Sequence, residues 1–140
     1  KIDNVMNFIN NSNISLPLYS SKVPAGFPSP ADDHMEGKLD LNTHLVKHPA
    51  ATFFVKASGD SMLGAGIHDG DILVVDRSLE PRKGKVVIAA VDGQLTVKRL
   101  QKKGLKTFLV PENKKFRSIE LNENNDVKIW GVVTNVIHKV

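Results

Sequence analysis

The chain has 140 residues, the length of one ordinary domain, and two full domains are not expected. Its 41% hydrophobic and 24% charged residues exclude a wholly disordered chain, and its net charge of +4 is too small by itself to indicate a nucleic-acid-binding protein. Because there is no cysteine, disulfides, thiol catalysis and cysteine-ligated metals are excluded, and any nucleophile must be an oxygen or an amine.

The N-terminal sequence, KIDNVMNFINN, lacks the apolar core of a signal peptide. No apolar run in the chain approaches the roughly 18–20 residues that a membrane span needs. We therefore expect a cytoplasmic protein with no membrane partner. Lys1 is not an initiator methionine, which indicates a chain that was trimmed or cut from a longer one.

Residues 1–36 differ in composition from the rest of the chain. They hold four of its seven prolines and few periodic apolar runs. Proline biases the residue before it toward extended backbone, so this composition favours an arm with turns. We predict a flexible N-terminal arm over residues 1–36 and one domain over residues 37–140.

The string LDLNTHLVKHP predicts a short helix. Asp40 or Asn42 can cap its first turn, Leu41 and Leu45 lie four residues apart, and Pro49 ends it. His44 and His48 also have a spacing that can chelate a metal, but no third ligand or glutamate motif accompanies them. We interpret these two histidines as surface or packing residues, and we expect no metal and no cofactor.

From residue 51 onward the sequence is typical of β-strands. Runs rich in β-branched and aromatic residues are mostly bounded by Gly, Pro, Asn or Asp. These runs are ATFFVKA, DILVV, KVVIAAV, QLTVKRL, KTFLV and DVKIWGVVTNVIHKV. Asp92-Gly93 is a two-residue hairpin signal, because both central positions of a type I′ turn need a positive φ. The fold class predicted from these spacings is mostly β, a small and partly closed antiparallel β-domain.

The most unusual local pattern is KASGDSMLGAGIHDGDILVV. We predict that a strand ends at Ala57, that Gly59 permits a sharp turn, and that a helical turn begins near Ser61. Such a turn exposes the Ser61 hydroxyl beside outward-pointing backbone N–H groups, which suits a nucleophile with an oxyanion hole. The string does not match the GxSxG elbow of α/β-hydrolases, and a serine in a glycine-rich turn is more often structural.

A serine hydroxyl is a poor nucleophile without a base, and His68 is the first candidate for that base. Its aspartate neighbours in sequence, which would complete a Ser/His/Asp group, are Asp69, Asp71 and Asp76. The same residues also fit a simple polar turn.

Lys98 is the second candidate for the base. It lies in LTVKRL, where side chains alternate between faces, so that either Lys98 or Arg99 must point toward the more buried side. Burial lowers the pKa of an amine and can leave it neutral and able to accept the serine proton. Composition alone favours the alternative, a solvated strand lysine.

A basic stretch lies near the predicted hairpin after residue 100. Its members are Lys102, Lys103, Lys106, Lys114, Lys115 and Arg117. Single-strand recognition usually adds aromatic stacking platforms, and only Phe108 and Phe116 are close. A solvated face is therefore favoured, and direct DNA binding is expected to be weak or absent.

Several of these strings together resemble one family. FVKASGDSM, GDILVVD and AAVDGQLTVKRL, together with GFPSPADD in the arm and DLNTHLVKHPAAT after it, resemble the UmuD-like proteins and, more loosely, the peptidase domain of LexA-type repressors. Both belong to a family of Ser/Lys self-cleaving peptidases. The resemblance runs from about residue 16 to the end of the chain.

The resemblance implies a fold like that of LexA and signal peptidases, and it implies roles for particular residues. Ser61 would be the nucleophile and Lys98 the general base. The family cuts its own chain before a glycine ahead of the peptidase core, which here would be the Ala25–Gly26 bond, with Val23 filling a second apolar pocket.

The resemblance also implies a biological setting. It implies a homodimer whose cleavage is stimulated by the RecA filament on single-stranded DNA, within the SOS response to DNA damage. The processed form, starting at Gly26, would serve a UmuC-type Y-family polymerase in error-prone translesion synthesis. Two alternatives remain: the peptidase domain of a LexA-like self-cleaving transcriptional repressor, and a dimeric scaffold without activity.

Overall fold

Antiparallel β-strands make up most of the regular structure in the computed structural model, which describes residues 14–19, 23 and 35–140. The chain divides into two units, residues 1–44 and residues 45–140. None of the described helices is long and apolar enough to cross a lipid bilayer. The predicted fold class, a mostly-β antiparallel domain, is confirmed.

The first unit contains a two-stranded sheet that the sequence did not predict. Strand β1 (Leu16–Tyr19) pairs antiparallel with β2 (Met35–Leu39), so that Leu16 lies opposite Leu39. Pro17 is accommodated because both strands of a two-stranded sheet are edges, where a missing N–H is tolerated. The predicted boundary between residues 36 and 37 falls inside β2, and the division into arm and domain stays a prediction.

Helix α1 (Leu41–Leu45) confirms the predicted short helix. Its cap is Asp40, whose Oδ1 accepts a hydrogen bond of 2.9 Å from the backbone N–H of Asn42. The helix ends earlier than Pro49, which instead begins one turn of 3₁₀ helix, Pro49–Ala51. A proline suits that position because the first N–H of a helix has no partner within it.

The second unit is built on one sheet of seven strands. In chain order these strands are β3 (Thr52–Lys56), β4 (Ile72–Asp76), β5 (Val86–Val91), β6 (Gln94–Lys103), β7 (Lys106–Val110), β8 (Ile119–Glu120) and β9 (Val127–Ile137). Their order across the sheet is β3-β4-β9-β5-β6-β7-β8, and every neighbouring pair is antiparallel. The predicted type I′ turn between β5 and β6 is confirmed by positive φ angles of 50° at Asp92 and 84° at Gly93.

Both faces of the sheet are covered at β5. Val87 and Ala89 pack in one buried cluster with Leu100, Leu109 and Val132. Ile88 points to the other face, where it packs in a cluster that contains Ala57, Met62, Ile67, Leu73 and Val75. Met62 belongs to this second cluster and is 1% exposed, so the residue immediately after Ser61 is buried in the core.

Candidate active site

Ser61 lies in a sharp turn between β3 and β4, as the sequence predicted. Gly59 has a φ of +84°, which a residue with a side chain rarely adopts, and a short 3₁₀ helix, Leu63–Ala65, follows the turn. The Met62 side chain is fully buried in the core, and burying a side chain of this size contributes about 1.5–3 kcal/mol. The turn is therefore anchored beside a Ser61 side chain that remains partly exposed.

The segment after β7 holds the Ser61 turn from the other side. The backbone N–H of Glu112 donates to the Ser61 carbonyl at 2.7 Å, and the N–H of Gly64 donates to the Glu112 carbonyl at 2.8 Å. Asn113 Nδ2 donates to the Asp60 carbonyl at 2.9 Å. A Cβ atom on Gly64 would lie 2.7 Å from the Glu112 oxygen, so only glycine permits this approach without a shift.

Lys98 projects from β6 toward this turn, and its Nζ lies 3.1 Å from Ser61 Oγ. The same nitrogen donates to Thr96 Oγ1 at 2.8 Å and to the Val97 carbonyl at 3.1 Å. Lys98 is only 8% exposed. Burial lowers the pKa of the Lys98 ammonium from its ordinary value, because the charged form loses hydration.

The three partners of Lys98 fit an amine that can accept a proton. In the ammonium form, its three N–H bonds match the oxygens of Ser61, Thr96 and Val97. The Val97 carbonyl can only accept, and the Thr96 hydroxyl can accept a second N–H. When one proton leaves, the remaining two N–H bonds can stay on Thr96 and Val97, and the lone pair then faces the Ser61 hydroxyl.

Arg99 occupies the opposite face of β6, as strand alternation predicts. Its Nε donates to Glu112 Oε1 at 2.5 Å and its Nη1 donates to the Gly84 carbonyl at 2.6 Å. The cation that points to the more buried side is therefore Lys98, whereas Arg99 is paired. Because Glu112 also binds the Ser61 carbonyl through its backbone, Arg99 helps to hold the segment that positions the turn.

A cleft of about 220 Å³ opens beside Ser61. Most of its lining is apolar. The lining includes Val55 of β3, Ala57 just after that strand, and Leu95 and Val97 of β6. A cleft of this size and lining suits an extended peptide with small or apolar side chains. Ser61 and Thr96 are among the polar groups that line it.

The other residues that the sequence singled out lie elsewhere. Ala25 and Gly26 fall outside the described residues, and Val23 is 90% exposed. His68 interacts with Asp71 and His138, and within residues 35–140 no hydrogen bond or ion pair joins it to Ser61. His48 pairs with Asp76, its Nδ1 lying 2.6 Å from the carboxylate.

Comparison with known proteins identifies the family of the chain. A family model described as Peptidase S24-like matches residues 17–134. The chain belongs to this family. The S24-like match covers β1 to most of β9 and includes both Ser61 and Lys98.

The relatives of this S24-like chain include UmuD-like proteins and a repressor. It is 50% identical to Protein SamA of Salmonella typhimurium over 123 residues, which cover 88% of this chain and 85% of SamA. It is 45% identical to Protein MucA of Escherichia coli over 122 residues, or 86% of this chain and 83% of MucA. It is 37% identical to the LexA repressor of Pasteurella multocida over 129 residues, or 91% of this chain and 60% of LexA. The predicted resemblance is therefore confirmed.

Three residues that contact Lys98 or the Ser61 turn were not predicted from the sequence of this S24-like chain. Thr96 was not identified from the sequence, although strand alternation alone puts its hydroxyl on the same face of β6 as the Lys98 amine. Glu112 and Asn113, which hold the Ser61 turn, gave no local signal because they lie about fifty residues from it in sequence.

Proposed function

We propose that this chain is a UmuD-like self-cleaving serine peptidase of the SOS response. In this proposal Ser61 is the nucleophile, Lys98 is the general base, and the bond cleaved is Ala25–Gly26. The observation that carries the proposal is the 3.1 Å distance between Lys98 Nζ and Ser61 Oγ, in surroundings that lower the pKa of the lysine. A buried neutral amine in contact with a hydroxyl is what activation of serine by lysine requires.

The reaction begins with neutral Lys98. Its lone pair takes the Ser61 proton while Oγ attacks the Ala25 carbonyl carbon, and the resulting oxyanion needs N–H donors. The backbone N–H groups of Ser61 and Met62 are suited to this, since in the described part of the chain neither donates to a backbone carbonyl. The Ala25–Gly26 bond then breaks as the Lys98 ammonium donates its proton to the departing Gly26 amine. Water finally hydrolyses the ester on Ser61.

The residues around the bond fit the cleft beside Ser61. Ala25 and Gly26 are small, and Gly26 allows the backbone to bend into a shallow groove. Val23 is an apolar side chain that matches the lining supplied by Val55 and Leu95. Because substrate and enzyme are one chain, the entropy of their encounter is largely prepaid, and the rate depends on how often the arm docks.

The product starting at Gly26 acts, in this proposal, as a homodimeric accessory subunit of a UmuC-type Y-family polymerase. Cleavage is stimulated by the RecA filament on single-stranded DNA. The identity of 50% to SamA, against 37% to LexA, favours this function over the peptidase domain of a LexA-like repressor. Both functions use the same cleavage chemistry, so the proposal of Ser61 and Lys98 applies to either.

Incubation of the purified chain at increasing pH tests the chemistry directly. We expect intact-mass spectrometry to show a fragment that begins at Gly26, formed faster as the pH rises from 7 toward 10, because more Lys98 is then neutral. Ser61→Ala and Lys98→Ala should each abolish the fragment. Lys102→Ala is the matched control, since Lys102 is an exposed lysine of the same strand, and it should leave cleavage unchanged.

Two results would contradict the proposal. A rate that stays flat between about pH 7 and 10 would contradict a lysine base, because a histidine with its ordinary pKa of about 6.5 is already neutral over that range. A fragment that begins at a residue other than Gly26 would show that the bond is misassigned, even if both variants are inactive.

A further inference from the structure

A cluster of metal-ligating side chains lies outside the active site, where the turn before β4 meets the end of β9. Its members are His68, Asp71 and His138. The register of the two strands, with Ile72 opposite Ile137, brings Asp71 and His138 together at the same end of the sheet. His138 Nδ1 lies 2.6 Å from Asp71 Oδ1, and His68 Nδ1 lies 3.7 Å from Asp71 Oδ2.

Asp71 supplies a fixed and buried carboxylate to this cluster. It is 3% exposed, and its Oδ2 accepts a hydrogen bond of 2.8 Å from the backbone N–H of His68. An aspartate carboxyl is ordinarily ionised at neutral pH, and the ionised form accepts this hydrogen bond. Its position does not depend on either imidazole ring, because the hydrogen bond comes from the backbone.

The two imidazoles are accessible from solvent and lie close together. Their ring centroids are 4.4 Å apart, and the side chains of His68 and His138 are 49% and 42% exposed. One ligand atom from each of the three residues falls within 4.8 Å of the others. A tetrahedral zinc ion with bonds of about 2.0–2.2 Å needs ligand atoms roughly 3.3 Å apart, which small rotations of two half-exposed rings can provide.

We propose that His68, Asp71 and His138 form a binding site for a zinc ion. Two imidazole nitrogens and a carboxylate oxygen are ligands that zinc accepts, and water would complete the tetrahedron. Zinc bound at His138 Nδ1 would replace the hydrogen bond between this nitrogen and Asp71 Oδ1, and the ring proton would then lie on Nε2.

The site joins the end of β9 to the turn before β4, and backbone hydrogen bonds link that turn to the segment before Ser61. The backbone N–H of Ala57 donates to the Asp71 carbonyl at 2.7 Å, and the N–H of Gly70 donates to the Ala57 carbonyl at 2.8 Å. Ala57 immediately precedes the segment that carries Ser61. Bound zinc would therefore link the turn before β4 to the end of β9, and binding to the folded state would stabilise it.

Isothermal titration calorimetry with zinc chloride tests this site in the full chain carrying Ser61→Ala, which prevents cleavage. We expect one zinc ion per chain and a higher melting temperature in its presence. His68→Ala and His138→Ala should each weaken binding by at least the roughly 10- to 100-fold that loss of an outer-shell partner costs. Both histidines are half exposed, so these variants are expected to fold, and His68→Ala keeps the backbone N–H that holds Asp71.

His44→Ala is the matched control, because His44 is an exposed histidine of α1 outside the cluster. It should bind zinc like the parent, and cobalt substituted for zinc should show the visible spectrum of a tetrahedral site. Zinc affinity that is unchanged in His68→Ala and His138→Ala would overturn the proposal. Affinity lost in His44→Ala instead would also overturn it.

Discussion

At the scale of single residues, the proposed chemistry depends on how Lys98 is solvated. An exposed lysine is almost fully protonated at neutral pH and cannot accept a proton from serine. Lys98 is 8% exposed, and the pKa of its ammonium is lowered by burial. The three oxygens around Nζ also restrict its direction, so that loss of one proton leaves the lone pair facing Ser61.

Thr96 is expected to be a positioning residue for Lys98. Replacing it with valine removes the acceptor at 2.8 Å from Nζ while keeping a β-branched side chain. We expect Thr96→Val to slow self-cleavage at high pH by about 10- to 100-fold, because the amine is misplaced relative to Ser61. The midpoint of the pH–rate profile should also move to lower pH, because the ammonium form loses a hydrogen bond that favours it.

Thr96→Ser is the conservative control for this prediction. It keeps the hydroxyl, so the parental rate and midpoint should largely return. A lower rate with an unchanged midpoint in Thr96→Val, not rescued by serine, would point to a packing role for Thr96 instead.

At the scale of elements, the Ser61 turn is held in place by a distant segment. Glu112 and Asn113, which follow β7, form hydrogen bonds with the turn, and Arg99 of β6 donates a hydrogen bond to the Glu112 side chain. Since β6 also carries Lys98, one strand positions the proposed base directly and the proposed nucleophile indirectly. The distance between Ser61 and Lys98 therefore depends on contacts made through both faces of β6.

Gly64→Ala tests the contact between the turn and this segment. The added Cβ would lie 2.7 Å from the Glu112 carbonyl oxygen, so the turn or the segment must shift. We expect the free energy of unfolding to fall by about 1–3 kcal/mol and cleavage at pH 10 to slow by at least about 10-fold, both measured well below the melting temperature.

Gly131→Ala separates the two effects. Its Cβ would lie 2.7 Å from Val75 Cγ1, the same distance but against a buried side chain instead of backbone, at a site between β4 and β9. It should lower the free energy of unfolding to a similar extent but leave the cleavage rate of the folded protein near that of the parent. Equal loss of cleavage in both variants would show that general destabilisation, not displacement of the Ser61 turn, is responsible.

At the scale of the whole molecule, burying the charged Lys98 ammonium lowers the free energy of unfolding. Because the pKa in the folded state is below the ordinary value of 10.5, the unfolded chain binds more protons between those two values. The cost is therefore fully present below the folded pKa and disappears as the pH rises toward 10.5.

This linkage predicts how the stability of Lys98→Met compares with that of the parent, both carrying Ser61→Ala. The parent should gain stability relative to Lys98→Met as the pH rises from 7 toward 10.5, by about 1.4 kcal/mol for each unit by which burial lowers the pKa. Urea unfolding across this range measures the difference. Lys102→Met changes an exposed position, so its stability relative to the parent should not change with pH. The same pH dependence of stability in all three chains would contradict the prediction.

The sequence alone determined most of the local structure in the second unit. Strand runs such as FFV and VVIAA, the type I′ turn at Asp92-Gly93 and the sharp turn at Gly59 depend on residues that are neighbours in the chain. The two strands of the first unit were not foreseen, because β1 (Leu16–Tyr19) is exposed and contains a proline, so it lacks alternating burial. The same resemblance that indicated Ser61 and Lys98 was confirmed at the level of the family.

Only the tertiary structure decided which candidate base lies beside Ser61. In sequence His68 is much the nearer candidate, yet it interacts with Asp71 and His138, whereas Lys98 crosses from β6 to the serine. Strand alternation required that Lys98 or Arg99 face the buried side but could not say which one. Which of the two side chains is buried depends on the position of Glu112, which pairs with Arg99, and on the core cluster that contains Met62. Burial is a property of the packed sheet, so no local stretch of sequence determines it.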